Sequence, residues 1–587
     1  MQTFQRLASP MRVLTQLLIF IALLTLILPA TNSSAESQEP SPNVLPLNEA
    51  QAAPPVRPLA APQASVSLGL PGSVLIGEDF SFTATFDNTG SDPGYGPFID
   101  LVFPVNGADG AAGSDVPDGI DFISADYLGL TVTTFEFTFP DDGGGTGCVD
   151  HPLALDNTGA PHQVCGTTGD KLVVIQLPFG SFVPTQPPAE VTINASLSNL
   201  ADLGTSLSIH ARAGYQFGAN PLDDPCCDLV VLNPSTSNSG AWPSSSTTPT
   251  LISLSKSYDG PEDETATGPN FPRRYTIAVD IAAGQTITDL DIFDDLPDNL
   301  AYLSVISTSP GGATTVQEPT IAAAANPPNN VLQVNFSSVG GGAGSADATI
   351  TFEYFIPEFD ANGQPLIDPN NGDDRVSENS ASALGDWVPI DARDAGGTDN
   401  ASADPVGFEH ALADRAIAIQ KGGSDFTDVG ASGPSPGDTL QFTLNFQISD
   451  YFTFGNLVVT DTFSDGHRLD GSFTPTLTVT DRNGTISGAF LTGTDLIVDT
   501  TEIGNDPNPT TDGSTTLNFD ISAAMVRLGA ADGILQGGRA VTPDAAGATG
   551  TITFRTVIQQ DFSDTYPSGD PSVDHGDVLD NDVTIEG

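Results

Sequence analysis

Positive charge is almost missing from this sequence. Lys and Arg number 17 against 74 Asp and Glu, a formal charge of −57. A surface this acidic repels phosphate backbones and anionic lipid, so nucleic acid and peripheral membrane are excluded as partners. Trp (2) and Tyr (9) are scarce while Phe (32) is plentiful. Phe fills cores, whereas Tyr and Trp build recognition platforms, so broad aromatic sugar-binding surfaces are not expected. No second long apolar segment follows the one near the N-terminus, hence no embedded membrane span is expected once that segment is removed. Signatures of turnover chemistry are missing too. There is no G-x-S-x-G elbow, P-loop or H-E-x-x-H, and the six His are scattered. The run Gly340–Gly344 lacks a following Lys-Ser/Thr, and carboxylates are too abundant for any pair to single out a glycosidase site. Helical runs are nearly absent, Ile521–Leu528 being the best short candidate.

What is present begins with an address. Arg6 and Arg12 precede an apolar run from Leu17 to Leu28, followed by Ser33-Ser34-Ala35. This order reads as a secretory signal over residues 1–35 and predicts an extracellular, cell-surface location. A membrane anchor is the alternative, but the run falls short of the ~20 residues a spanning helix needs. The sequence closes directly after a strand-like Asp582–Ile585, so further repeats of the same chain are candidate partners.

The 60 Gly and 47 Pro exceed average usage and imply frequent turns. Residues 36–63, rich in Pro and Ala, read as a linker, as do 236–250 and 388–412. Between them lie three segments of sandwich size: 64–235, 251–387 and 413–587. Phe80, Phe82, Ala84 and Phe86 alternate with polar residues, as do Tyr275, Ile277, Val279 and Ile281, and Leu440, Phe442, Leu444 and Phe446. Period two marks half-buried strands, and many such strands with Gly/Pro/Asp turns predict an all-β chain of tandem antiparallel β-sandwiches.

The second and third segments read as copies of one unit. Ile252-Ser-Leu254-Ser-Lys256 matches Ile417-Ala-Ile419-Gln-Lys421, and Leu290–Leu296 matches Leu457–Phe463. Val376–Ala381 matches Val578–Val583, with a larger offset that implies a long late insertion in the last copy. Residues two apart on a strand share a face. Lys256 and Lys421, Asp294 and Asp461, Asn379 and Asn581 therefore fall on core-facing sides. The chain has three lysines in all, and two occupy this equivalent position. Burial lowers a Lys pKa and raises an Asp pKa. A neutral amine is a nucleophile and a protonated carboxyl polarises a carbonyl, so an amine beside an Asn carboxamide can displace ammonia and leave an amide cross-link. The plain alternative is that both lysines sit on edge strands with their ammonium groups in water.

Pro436-Gly437-Asp438-Thr-Leu440-Gln-Phe442, followed by Leu457–Phe463, resembles the DUF11-like repeats of large bacterial surface proteins. The Lys, Asp and Asn placement resembles the isopeptide-forming, Ig-like or Cna-like domains of pilins and adhesins. The resemblance covers about 250–587 moderately and 64–235 loosely. It implies Lys256 bonded to Asn379 with Asp294 as catalyst, and Lys421 bonded to Asn581 with Asp461. Asn400 is a rival partner for Lys256. The first segment departs from the pattern: Gly69 stands near the Lys position, and Asp100 is out of register, so no cross-link is expected there.

All four cysteines, Cys148, Cys165, Cys226 and Cys227, lie in the first segment. Export favours disulfides, with Cys148–Cys165 the natural local bridge. Cys148-x2-His151 and His162-x2-Cys165 also form a mirror-image set suited to tetrahedral Zn²⁺. Asp368, Asn370 and Asp373 offer clustered oxygen ligands for Ca²⁺, though as a solvated turn they need none. No other cofactor is implied. The expected function is that of a secreted structural or adhesin-like surface protein, not an enzyme beyond single-turnover self-cross-linking. The alternative is a Ca²⁺-dependent or ligand-binding adhesion module, with specificity for a surface or protein ligand in the first segment.

Overall fold

The computed structural model describes residues 61–587 except 108–116, 157, 222–229, 260–264, 321–329, 345, 361–362, 367–374, 390–398, 413–414, 431, 501–512, 539–545, 564–570 and 575. The expected signal segment, Cys226, Cys227, Asp368, Asn370 and Asp373 lie outside the described residues. What is described is almost wholly β, in three consecutive sandwiches. Among the described residues no helix is long and apolar enough to cross a membrane.

The first sandwich uses β1 (Ala64–Gly69), β2 (Asp79–Asn88), β3 (Pro97–Phe103), β4 (Ile120–Tyr127), β5 (Thr133–Thr138), β6 (Thr146–Leu155), β7 (Pro161–Thr167), β8 (Lys171–Gln176), β9 (Ala189–Leu197), β10 (Leu207–Tyr215) and β11 (Ser244–Thr250). One sheet runs β1-β2-β9-β4 and the other β11-β10-β3-β8-β5. Alternation dictates the packing: Phe82, Ala84 and Phe86 of β2 face Ile99, Leu101 and Phe103 of β3 across the core. Strand β3 is apolar on its other face as well. There Phe98 and Val102 enter a second core roofed by the β6–β7 hairpin and Trp242.

The second sandwich comprises β12 (Ile252–Tyr258), β13 (Arg273–Ile281), β14 (Thr286–Asp295), β15 (Ala301–Ser309), β16 (Thr314–Gln317), β17 (Val331–Gly340), β18 (Ala348–Phe355), β19 (Arg375–Trp387) and β20 (Asp399–Leu412). Its sheets are β12-β13-β18-β15 and β16-β17-β14-β19-β20. The third has β21 (Ile417–Thr427), β22 (Thr439–Ile448), β23 (Val458–Phe463), β24 (Thr476–Asp481), β25 (Gly484–Ala489), β26 (Leu496–Thr500), β27 (Thr515–Asp520), helix α1 (Ile521–Arg527), β28 (Ala548–Ile558) and β29 (Asn581–Glu586). Its sheets are β21-β22-β28-β24-β25 and β26-β27-β23-β29. The repeat read from the sequence is thus a topological repeat. Strand order also extends it to the first sandwich, where sequence likeness is slight.

Two expected linkers are structured instead. Ser244–Thr250 forms β11, antiparallel to β10, and one residue later β12 opens the next sandwich. Ser and Thr there read as linker composition, but in a sheet their hydroxyls bond across strands, as Ser208 Oγ and Ser246 Oγ do at 2.8 Å. Residues 399–412, also expected as linker, form β20 against β19. The extra length of the third sandwich does not come late in one block. It divides between the β24–β25 hairpin and the region of α1, while the step from Ile552 on β28 to Asn581 equals that from Ile350 on β18 to Asn379. Second and third sandwiches meet directly. Asn270 donates its backbone N–H and Nδ2 to the Asp450 carboxylate (2.8 and 2.9 Å), and the Tyr451 hydroxyl donates to the Ile356 carbonyl at 2.9 Å.

Candidate cross-linking sites

In the second sandwich, Lys256 on β12 crosses the space between the sheets to Asp294 on β14, with which it forms an ion pair. Strand β12 is an edge strand of its sheet, but the Lys256 side chain is 0% exposed, so its ammonium does not reach water. Asp294 pairs in register with Ala381 of β19, and Asn379 stands two residues along on the same face. Asn379 is fully buried beside Asp294, whose carboxyl burial holds above its ordinary pKa against the smaller downward pulls of Lys256 and Asn379. Neither its Nδ2 nor its Oδ1 finds a well-aligned hydrogen bond, and Asp294 Oδ1 is likewise unpaired. Tyr275 and Phe352 floor the site, their ring centres 4.9 and 5.9 Å from Lys256 Nζ.

The third sandwich repeats this residue by residue. Lys421 on β21 donates to Asp461 Oδ2 on β23 at 2.5 Å. Asp461 pairs in register with Val583 of β29, and Asn581 follows two residues along, its amide beside the Asp461 carboxyl and again without a well-aligned hydrogen bond. Phe442 and Phe554 form the floor at 5.2 and 6.0 Å. His467 is added here, buried with its ring 4.9 Å from Phe463. Burial depresses its pKa to about 4.

Both lysines are held below their ordinary pKa by burial, against the pull of their carboxylate partners. Burial also pushes the Asp294 carboxyl up, and Asp461 to about 6. An apolar enclosure penalises each charge alone, so proton transfer from ammonium to carboxylate becomes cheaper than in water. A neutral amine, a protonated acid and an unsatisfied carboxamide are the reactants of an intramolecular amide exchange.

Asn400 is not placed like Asn379. It lies on β20, in backbone register with Asp386 near the other end of β19.

The first sandwich carries a different buried network. Asp100 faces the second core, not the inter-sheet core. Arg212 donates to its Oδ2 through Nε (2.8 Å) and Nη2 (2.6 Å), and the guanidinium lies 4.3 Å from the Trp242 ring centre. His151 Nδ1 accepts the backbone N–H groups of Leu153 and Ala154, so its proton is on Nε2, which donates to Asp100 Oδ1 at 2.8 Å. Burial opposes ionisation of Asp100, but His151 and Arg212 outweigh it and hold its pKa below the usual carboxylate range. One cation, one anion and a neutral imidazole make a closed set. These contacts overturn the zinc expectation: Cys148 and Cys165 form a disulfide and His151 is turned to Asp100. Among the described residues no group of His, Cys, Asp and Glu is arranged to hold a metal. Sequence reading missed Arg212 and Trp242. The available signal was β3 itself, apolar at both parities, which marks a strand buried on both faces and hence a buried Asp100.

No protein-family model matches the sequence, and no curated protein matches it. Solved structures similar to it include the C-terminal domain of the Streptococcus agalactiae AgI/II polypeptide BspA, at 10% identity, covering 53% of this chain and 92% of that one with a TM-score of 0.16. The full-length major pilin SpaD of Corynebacterium diphtheriae is 11% identical over 73% of this chain and 77% of its own, TM-score 0.18. The collagen-binding domain of the Erysipelothrix rhusiopathiae surface protein RspB is 14% identical over 57% and 96%, TM-score 0.15. Likeness of this degree says nothing of function, which rests on the sites.

Proposed function

We propose that this chain is an exported, adhesin-like structural surface protein whose second and third sandwiches staple themselves with Lys256–Asn379 and Lys421–Asn581 isopeptide bonds. The neutral Lys Nζ attacks the Asn Cγ while the protonated Asp lends its proton to the carboxamide oxygen. A C–N bond forms, the original C–NH₂ bond breaks, the amide nitrogen leaves as ammonia with one proton from the amine, and the proton on the carbonyl oxygen returns to the Asp. Asp294 and Asp461 are regenerated, so each site acts once. The observation that carries this reading is the recurrence of one arrangement, a Lys–Asp pair with an Asn carboxamide beside the Asp, enclosed between the sheets at equivalent positions of two sandwiches. Each bond would tie a first strand to a late one and shield the intervening chain from extension.

Trypsin tests it. An acylated lysine is not cleaved, so denatured protein should resist cutting after Lys256 and Lys421 and yield branched peptides containing Asn379 and Asn581. An Asp294→Ala variant should regain cleavage after Lys256 alone. Complete cleavage after both lysines in the unaltered chain would overturn the proposal.

A further inference from the structure

We propose that His467 is a positioning residue for the Lys421–Asn581 bond: its Nε2–H fixes the peptide unit that precedes Asn581 and so aims the carboxamide at the amine. The inference rests on the cross-linking reading above and deepens it, giving the third sandwich a device that the second does not share.

His467 opens the short strand His467–Leu469, which pairs with β28, and is 2% exposed. Its ring contacts Phe463, which pairs in register with Asn581, and Phe442, which floors the Lys421 ammonium. Nε2 lies 3.4 Å from the Asp580 carbonyl oxygen, and Nδ1 lies 3.3 Å from Thr556 Oγ1. A carbonyl only accepts, so the ring proton is on Nε2 and the Thr556 hydroxyl donates to Nδ1. The same peptide is gripped from its other neighbour. The Ser464 N–H donates to the Asp580 carbonyl at 2.9 Å, and the Asp580 N–H donates to Ser464 Oγ at 3.0 Å. Asn581 is the next residue, so these hydrogen bonds set the direction from which its side chain leaves the backbone.

The second sandwich is built differently at this point. Leu300 follows Asp294 by six residues as His467 follows Asp461, and Pro297 stands where Ser464 does. Tyr354 follows Phe352 on β18 as Thr556 follows Phe554 on β28. Leu300 is buried in its place, and neither its side chain nor Pro297 offers a donor. The fold therefore accepts an aliphatic residue where His467 stands. An imidazole there brings no stability over leucine, because its hydrogen bonds largely repay its own desolvation. Thr556, His467 and Ser464 instead form one chain of hydrogen bonds that ends on the peptide before the reacting Asn. A misplacement of ~1 Å at a reacting group costs about a hundredfold in rate, which is what such a chain guards against.

The test follows bond formation in the full chain made by cell-free synthesis. Samples taken over time are denatured and digested with trypsin, and cleavage after Lys256 and after Lys421 is quantified by mass spectrometry. In His467→Leu the Lys421–Asn581 bond should form at least about tenfold more slowly, while the Lys256–Asn379 bond keeps its parent rate. His467→Gln, whose amide keeps an N–H for the Asp580 carbonyl, should recover most of the rate. Amide exchange in β23 and β28, measured in an Asn581→Ala background so that no bond contributes, should not change on adding His467→Leu. An unchanged Lys421–Asn581 rate in His467→Leu would overturn the proposal. So would a slow rate that His467→Gln does not relieve, or one accompanied by faster exchange in β23, since either makes the role structural. Complete cleavage after both lysines in the parent chain would instead remove the cross-linking reading itself, and this inference with it.

Discussion

Asp461 and His467 share one buried pocket yet pull stability in opposite directions with pH. The Asp461 pKa is raised by burial to about 6, above the ~3.9 of an unfolded chain. Its protonated form is therefore favoured by folding, and that contribution is lost as pH rises through 6. The His467 pKa is lowered by burial to about 4, below an unfolded value of ~6.5. Its contribution is full above 6.5 and lost as pH falls through 4. Between pH 4 and 6 the two slopes oppose. In an uncross-linked Asn581→Ala background, His467→Gln should leave the Asp461 slope alone, so the third sandwich loses stability as pH rises from 4 to 6. Urea unfolding at several pH values checks this. A His467→Gln variant that instead gains stability over that range would contradict the assignment.

Among the elements, the β6–β7 hairpin shows how the first sandwich manages without a lysine staple. It covers the Asp100–His151–Arg212 network, and the Cys148–Cys165 disulfide ties its two strands where those residues lie opposite in register. A disulfide closing a loop of this size is worth about 3 kcal/mol by chain entropy. Replacing both cysteines by serine should speed amide exchange at Leu153 and Ala154, whose N–H groups hold the His151 ring. Unchanged exchange there would show that the hairpin is held by Trp242 and the apolar roof alone. This element also marks what could be read in advance. Period-two alternation located the strands bearing Lys256, Asp294 and Asn379 and put all three side chains inward, because a strand fixes side-chain direction with its parity. Composition failed where polar residues serve a sheet: Ser244–Thr250 and Asp399–Leu412 carry linker residues but form flanking strands. Nor could local pattern show that Asp100 meets Arg212, since that contact joins strands more than a hundred residues apart.

On the scale of the whole molecule, three sandwiches share one strand order and differ in how each ties its chain together. The first uses a disulfide and a closed Arg–Asp–His network; the second and third set a Lys, an Asp and an Asn at one equivalent place. The proposed Lys–Asn bonds would each join a first strand to a late one, whereas the disulfide joins the two strands of one hairpin. The most direct measurement is the intact mass of the reduced, denatured protein. The account predicts a mass lower than the processed sequence by two molecules of ammonia, by one in Lys256→Ala or Lys421→Ala, and by none in the double variant, each beyond the substitution itself. A mass equal to that of the unmodified sequence in the parent chain would contradict it.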